Sequence, residues 1–195
     1  MDAYADLWWI PVGAGGHVVI HTSRWWELTR AAREHRAPRP LFHAALEVCD
    51  GDHRYAIEMT PAWGNRIRSR GVVATGPVGS TVLGRLRLFR YEIRCWEDGI
   101  IPDLALTSVP PHRIALTASR ARTVLDRVRA VPRFTWGRDP LRIGDMWNSN
   151  SLISYALEAS GLDVSALRPP DDGSAPGWAS GIAAARRSGG RLGPC

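Results

Sequence analysis

Lysine is absent from the chain: all 25 basic residues are arginine. Its absence removes every chemistry that needs a side-chain amine, so a pyridoxal Schiff base and a Ser-Lys dyad are excluded. A P-loop over residues 71–76 is excluded as well, because Pro77 stands where the phosphate-reaching lysine would be. Cysteine is scarce. Cys49, Cys95 and Cys195 are an odd number without C-x-x-C spacing, which argues against a disulfide framework and a cysteine zinc site and predicts free thiols. No run approaches eighteen apolar residues, and the opening MDAYAD is acidic where a secretory signal begins basic. The expectation is a cytoplasmic protein with no membrane span. H-E-x-x-H and G-x-S-x-G are missing, and Val18 stands where Gly13 and Gly15 would need a third glycine to complete a dinucleotide fingerprint. These absences disfavour a zincin, a standard α/β-hydrolase elbow and a Rossmann site, and no cofactor is expected.

What is present suffices for a packed domain. Of 195 residues, 45% are apolar and 9 are tryptophan, enough for one core, while 19 glycines and 14 prolines make the chain rich in loops. The net charge of +6 raises the question of nucleic acid. The arginines, however, are spread along the chain and interleaved with acids, as at Arg24 and Glu27 or Asp126 and Arg127, so a nucleic-acid partner is not expected. The densest run, Arg66, Arg68 and Arg70, reads as a solvated face.

Strand signals dominate the first half and helix signals the second. Residues 7–12 and 17–21 read as two short strands around a glycine turn at 13–16. A helix is predicted over about residues 25–36, capped by Thr22 or Ser23 and ended by Pro38 and Pro40. The clearest hairpin pairs 42–49 with 54–59 across Asp50, Gly51 and Asp52. Its alternation puts Phe42, Ala44, Leu46 and Val48 on one face and His43, Ala45, Glu47 and Cys49 on the other. Further strands are predicted at 71–75, 82–85 and 88–96. Helices follow from Thr117 or Ser119 to about Val131, over about 150–160 with Gly161 as its end, and over about 178–187. The whole reads as an α+β protein: a single domain over 1–165, then a Pro/Gly-rich C-terminal extension over 166–195 whose last residues look disordered.

The candidate chemistry lies at Trp147, Asn148, Ser149, Asn150 and Ser151, a polar run opening an apolar helix. A nucleophile there has free backbone N–H groups and the helix dipole to stabilise developing negative charge. The stretches FHAALEV from Phe42, YAIEM from Tyr55 and NSNSLI from Asn148 together resemble the circularly permuted papain-like hydrolases of the NlpC-like superfamily, including the lecithin retinol acyltransferase-like group. In those enzymes a histidine opens a strand, a polar residue follows on the next strand, and an Asn-Cys pattern starts a helix. The resemblance spans about residues 41–162 and implies an antiparallel sheet packed against helices. It makes His43 the general base, Glu58 the group that orients it and Ser149 the nucleophile, acting on a small-molecule, peptide or acyl substrate by amide, ester or acyl-transfer chemistry. Serine stands where the family has cysteine, and a hydroxyl ionises far less readily than a thiol with a pKa of about 8.5. The alternative is a catalytically inactive binding module of the same fold.

Each residue also has a structural explanation. Asn148, Ser149, Asn150 and Ser151 are all good N-caps, His43 can be a hydrogen-bonded strand histidine, and Glu58 a surface carboxylate. Trp136 and Trp147 flank the site and, with Asn148, could line an apolar substrate groove, although packing is the default for tryptophan. His17 and His21 share a strand face to which Glu27 or His35 could add a ligand, but no tight cluster forms in sequence and no metal site is expected. Trp8, Trp9, Trp25 and Trp26 read as packing residues.

Overall fold

A computed structural model describes residues 2–12, 27–62, 71–101, 104, 107 and 109–189. The predicted strand at 17–21, the residues 63–70 and the tail from 190 lie outside the described residues. One antiparallel sheet of six strands organises the fold: β1 (Ala3–Pro11), β2 (Phe42–Cys49), β3 (Arg54–Pro61), β4 (Val72–Pro77), β5 (Arg90–Glu97) and β6 (His112–Leu116), in the order β4-β5-β3-β2-β1-β6. Residues 27–33 are helical (α1); α2 (Ala118–Arg129), α3 (Ser149–Glu158) and α4 (Trp178–Gly189) follow. The protein is thus of the α+β class, with the antiparallel sheet packed against helices.

Strand alternation sorts the side chains. Leu7 and Trp9 of β1, Phe42, Ala44, Leu46 and Val48 of β2, Ile57 and Met59 of β3, and Tyr91 and Ile93 of β5 join one core with α2, α3 and α4. The opposite sheet face carries a smaller apolar cluster, Ile10, Ala45, Ala56 and Ile101, among charged groups. Those charges are paired: Asp6 accepts two bonds from Arg113 at 2.8 and 2.7 Å, and Glu47 accepts from Trp8 Nε1 and Arg54, each at 2.9 Å. The β2–β3 hairpin turns at Asp50–Gly51, where Gly51 at φ 116° supplies a backbone conformation that other residues rarely adopt.

Thr117 caps α2 by accepting from Arg120 N. Its buried stripe of Ala121, Val124, Leu125 and Val128 is the one the sequence periodicity marks. α3 is different, because residues from Ser149 to Leu157 are all buried, as expected of a helix enclosed by sheet on one side and helices on others. It ends at Glu158 with Ala159 as its C-cap, and Gly161 just beyond adopts φ 79°. Two expectations change. Residues 82–85 form no strand; instead Leu83–Arg85 and Arg87–Phe89 are short 3-10 turns, and β5 begins only at Arg90. The leucines there are exposed, so no second face is available to bury an extended segment. The edge strand β6 carries no alternating apolar signal; its burial is intermediate at best.

The chain beyond residue 165 returns to the core. Trp178, Ala184 and Ala185 of α4 pack in the same cluster as the sheet, and the Trp178 ring stacks tilted on Trp9 at 4.8 Å. At the α3–α4 crossing, a Cβ on Gly181 would collide with Ser154 Oγ and the Ser151 carbonyl, so the two helices approach to backbone distance only because residue 181 is glycine. No helix among the described residues is long and apolar enough to cross a membrane.

Candidate functional site

The polar run at the start of α3 is engaged residue by residue. Asn148 is the cap: its Oδ1 accepts from Asn150 N at 2.9 Å and Ser151 N at 3.4 Å, while Ser151 Oγ accepts from Asn148 N at 3.0 Å and closes a capping box. Asn148 Nδ2 donates to Pro176 O at 2.8 Å. Asn150 reaches the other way. Its Oδ1 accepts from Ala44 N at 2.6 Å, and its Nδ2 donates to Phe42 O at 3.1 Å and Pro176 O at 2.7 Å. The β2–β3 ladder runs only from Cys49–Arg54 to Leu46–Ile57. The amide of Asn150 therefore supplies Phe42 and Ala44 with the acceptor and donor that a further strand residue would have given. Ser154 Oγ donates to Trp178 O at 2.8 Å, tying the next turn of α3 to α4.

Ser149 is the exception: it is 7% exposed, and its hydroxyl makes no hydrogen bond among the described residues. His43 does not come to it. Within β2 the neighbours Phe42 and Ala44 face α3, and His43, paired with Ile10 of β1, lies on the opposite sheet face with Ala45 and Glu47. Glu58 shares that face with His43 and stands 4.0 Å from Arg94, which also pairs with Glu92 at 2.9 Å. The structure thus brings His43 and Glu58 to one sheet face and leaves Ser149 on the other side. Trp147 is fully buried, edge-on to Phe134 at 5.0 Å. Trp136 is half-buried and tilted against Tyr91 at 5.9 Å. Tyr91 donates to Phe134 O at 2.8 Å, and burial pushes its phenol up to about 12. Around the α3 start these aromatics fill space that an open substrate groove would need.

A groove lies elsewhere, between residues 30–39, the loop 165–175 and α4. It measures about 560 Å³, with a floor that includes Leu167, Trp178 and Ile182 and with arginines along its rim. Three of those arginines are neutralised. Arg30 and Arg36 pair with Glu34 at 2.7 and 2.5 Å, Arg36 also with Glu27 at 2.5 Å, and Arg186 with Glu158 at 2.7 Å. The two guanidiniums hold the Glu34 carboxyl down to about 2. Arg39 and Arg168 differ: among the described residues neither meets a carboxylate, and Arg168 spends its Nη1 on the carbonyls of Ser165 and Leu167 at 2.6 and 2.8 Å. The Arg39 position is fixed by the chain beside it, where Ser174 N donates to Pro40 O at 2.7 Å and Phe42 N to Ser174 O at 2.9 Å.

Asp145 sits at the base of this groove, buried, accepting from Gly177 N at 2.7 Å and Ser180 N at 3.3 Å. It is the cap of α4 contributed from outside the helix. Burial pushes its carboxyl above the usual carboxylate range, against those backbone donors, which hold it down. Sequence reasoning missed the groove because its residues come from three separated segments, none with a motif. The only signal was the arginine excess, which gives no location.

Glu27 is taken by Arg36 and by the Arg39 backbone N–H at 2.8 Å. His17 and His21 lie outside the described residues. Among the described residues no three His, Cys, Asp or Glu side chains converge as metal ligands. Cys49 and Cys95 are free thiols. No family model, curated protein or solved structure matches the chain.

Proposed function

We propose that the chain is a binding domain that takes an anion with an apolar body in the groove beside α4. The observation that carries this reading is the groove's composition: an apolar floor beneath two guanidiniums, Arg39 and Arg168, that no carboxylate neutralises among the described residues. A guanidinium presents paired donors that match a carboxylate or a phosphate, and the floor offers Trp178 and Ile182 to whatever the anion carries. In this reading the likeness to permuted papain-like hydrolases is one of fold. Calorimetric titration with dodecyl phosphate and with decanoate is the test, and inorganic phosphate is the control without an apolar part. Both amphiphiles should bind more tightly than inorganic phosphate. The double variant Arg39→Gln/Arg168→Gln should lose about tenfold or more per arginine, as expected for charged hydrogen bonds worth about 1.5–3 kcal/mol each. Equal affinity for inorganic phosphate, or affinity unmoved by the double variant, would refute the assignment.

One observation favours a second reading, hydrolase or acyltransferase chemistry at Ser149: its hydroxyl alone in the polar run is left unbonded, at a helix start whose dipole favours negative charge. His43 with Glu58 would then have to act from across the sheet. A fluorophosphonate probe separates the readings. A binding domain stays unlabelled, and labelling abolished by both Ser149→Ala and His43→Ala would establish the enzyme.

A further inference from the structure

We propose that the loop from Val78 to Arg90 is a docking element for bilayers that carry anionic lipid. The loop joins β4 to β5 through the two 3-10 turns, and its base is fixed. Val78 N donates to Phe89 O at 2.8 Å, Gly79 N to Trp136 O at 3.0 Å, and Arg138 Nε to Gly79 O at 2.6 Å. What the loop displays is therefore held outward. Its tip exposes Val82 (74%), Leu83 (43%), Leu86 (58%) and Leu88 (58%), and neither 3-10 turn contains a buried residue. The other large exposed apolar side chains among the described residues, Leu28, Ile100 and Ile143, are scattered singly. Isolated exposed apolars need no explanation, whereas four within seven residues mark a contact surface.

Charge selects the occupant. Arg85 and Arg87 alternate with the leucines and are exposed, and no acidic residue occurs between Gly71 and Tyr91. The polar contact of Arg87 is the Ala62 carbonyl at 3.3 Å, and Arg85 meets no carboxylate among the described residues. A bilayer with anionic headgroups satisfies both parts of this surface, taking the aliphatic side chains below the headgroups while the guanidiniums stay at phosphate level. A second copy of the chain docked through the same patch would bring Arg85 and Arg87 against their own equivalents, at an electrostatic cost.

The test is co-sedimentation of the full chain with phosphatidylcholine vesicles, with and without phosphatidylserine, at low and raised salt. Binding is expected to the phosphatidylserine vesicles only, and to weaken as salt rises. Because the tip side chains are exposed, their variants should fold as the parent does. Leu86→Ser/Leu88→Ser should reduce partitioning about tenfold or more, and Arg85→Gln/Arg87→Gln about fivefold per arginine. The groove variant Arg39→Gln/Arg168→Gln should dock like the parent, so this proposal and the groove reading fail separately. No binding to phosphatidylserine vesicles would overturn the proposal. So would binding untouched by the leucine variant, which would be diffuse attraction to the net positive chain. A dimer that the leucine variant converts to monomer would also overturn it, by assigning the patch to self-association.

Discussion

Replacing Asn150 tests whether one side-chain amide completes the sheet. In Asn150→Ala the Ala44 N–H and the Phe42 carbonyl lose the partner that held them at 2.6 and 3.1 Å, while Pro176 O keeps Asn148. Each buried polar group left unpaired costs about 1–3 kcal/mol, so the deficit for the two should be about 2–6 kcal/mol, or roughly 4–24 °C in melting temperature for a chain of this size. Asn150→Asp is the sharper variant. Its carboxylate can still accept from Ala44 N–H, but its other oxygen faces two carbonyls, Phe42 O and Pro176 O, where the amide had donated. The variant carboxyl must therefore hold its proton more tightly folded than unfolded. A raised folded pKa means the stability is present below the unfolded value of about 3.9 and is lost as pH rises through the folded value. Urea denaturation at neutral and acidic pH, each compared with the parent at the same pH, reads this directly. The Asp variant should be at least as damaged as the Ala variant at neutral pH and should recover part of the difference in acid. An Asn150→Ala protein within about 0.5 kcal/mol of the parent, the usual range for a surface substitution, would refute the argument. So would an Asp variant whose deficit does not shrink with acid.

Gly181→Ala should destabilise by about 1–3 kcal/mol or more in the same assay, because the new methyl meets α3 backbone that cannot move away; Gly189→Ala, with open space around it, should be neutral or stabilising. His53, whose Nδ1 lies 2.5 Å from Glu97 Oε1, should titrate above the ordinary histidine value, since that carboxylate favours the protonated ring. NMR titration should show the pKa fall back toward about 6.5 in Glu97→Gln. The pair's contribution to stability is present below the unfolded histidine pKa and is lost as pH rises through the folded one. An unmoved titration in Glu97→Gln would break the assignment.

The fold was legible where local pattern and tertiary environment agree. The β2–β3 hairpin has both alternation and turn residues, α2 has a single buried stripe and a threonine cap, and both occur within a residue or two of where the sequence puts them. The 82–85 segment misled because apolar residues there look like strand material, and burial, which sequence alone does not report, is absent. α4 was legible as a helix but not as part of the core, because its apolar side chains are mostly small alanines, and what fixes it comes from afar: Asp145 at its start and Trp9 against Trp178.

At the candidate site the residue types and the strand faces were legible, and the use of the polar run was not. Asn148, Ser149, Asn150 and Ser151 could serve a nucleophile or a cap, and only the third dimension separates these uses, because the same donors and acceptors satisfy both. Strand alternation alone already constrains the answer. Phe42 and Ala44 are the apolar members of the β2 pattern, so they face the helices, and His43 between them faces away. A one-residue shift in that pattern would have turned His43 toward α3 and Phe42, Ala44, Leu46 and Val48 outward. The alternation that buries Leu46 and Val48 therefore also separates His43 from Ser149. A polar run at a helix start gains catalytic weight only when the partner strand presents its histidine on the same face as its core residues.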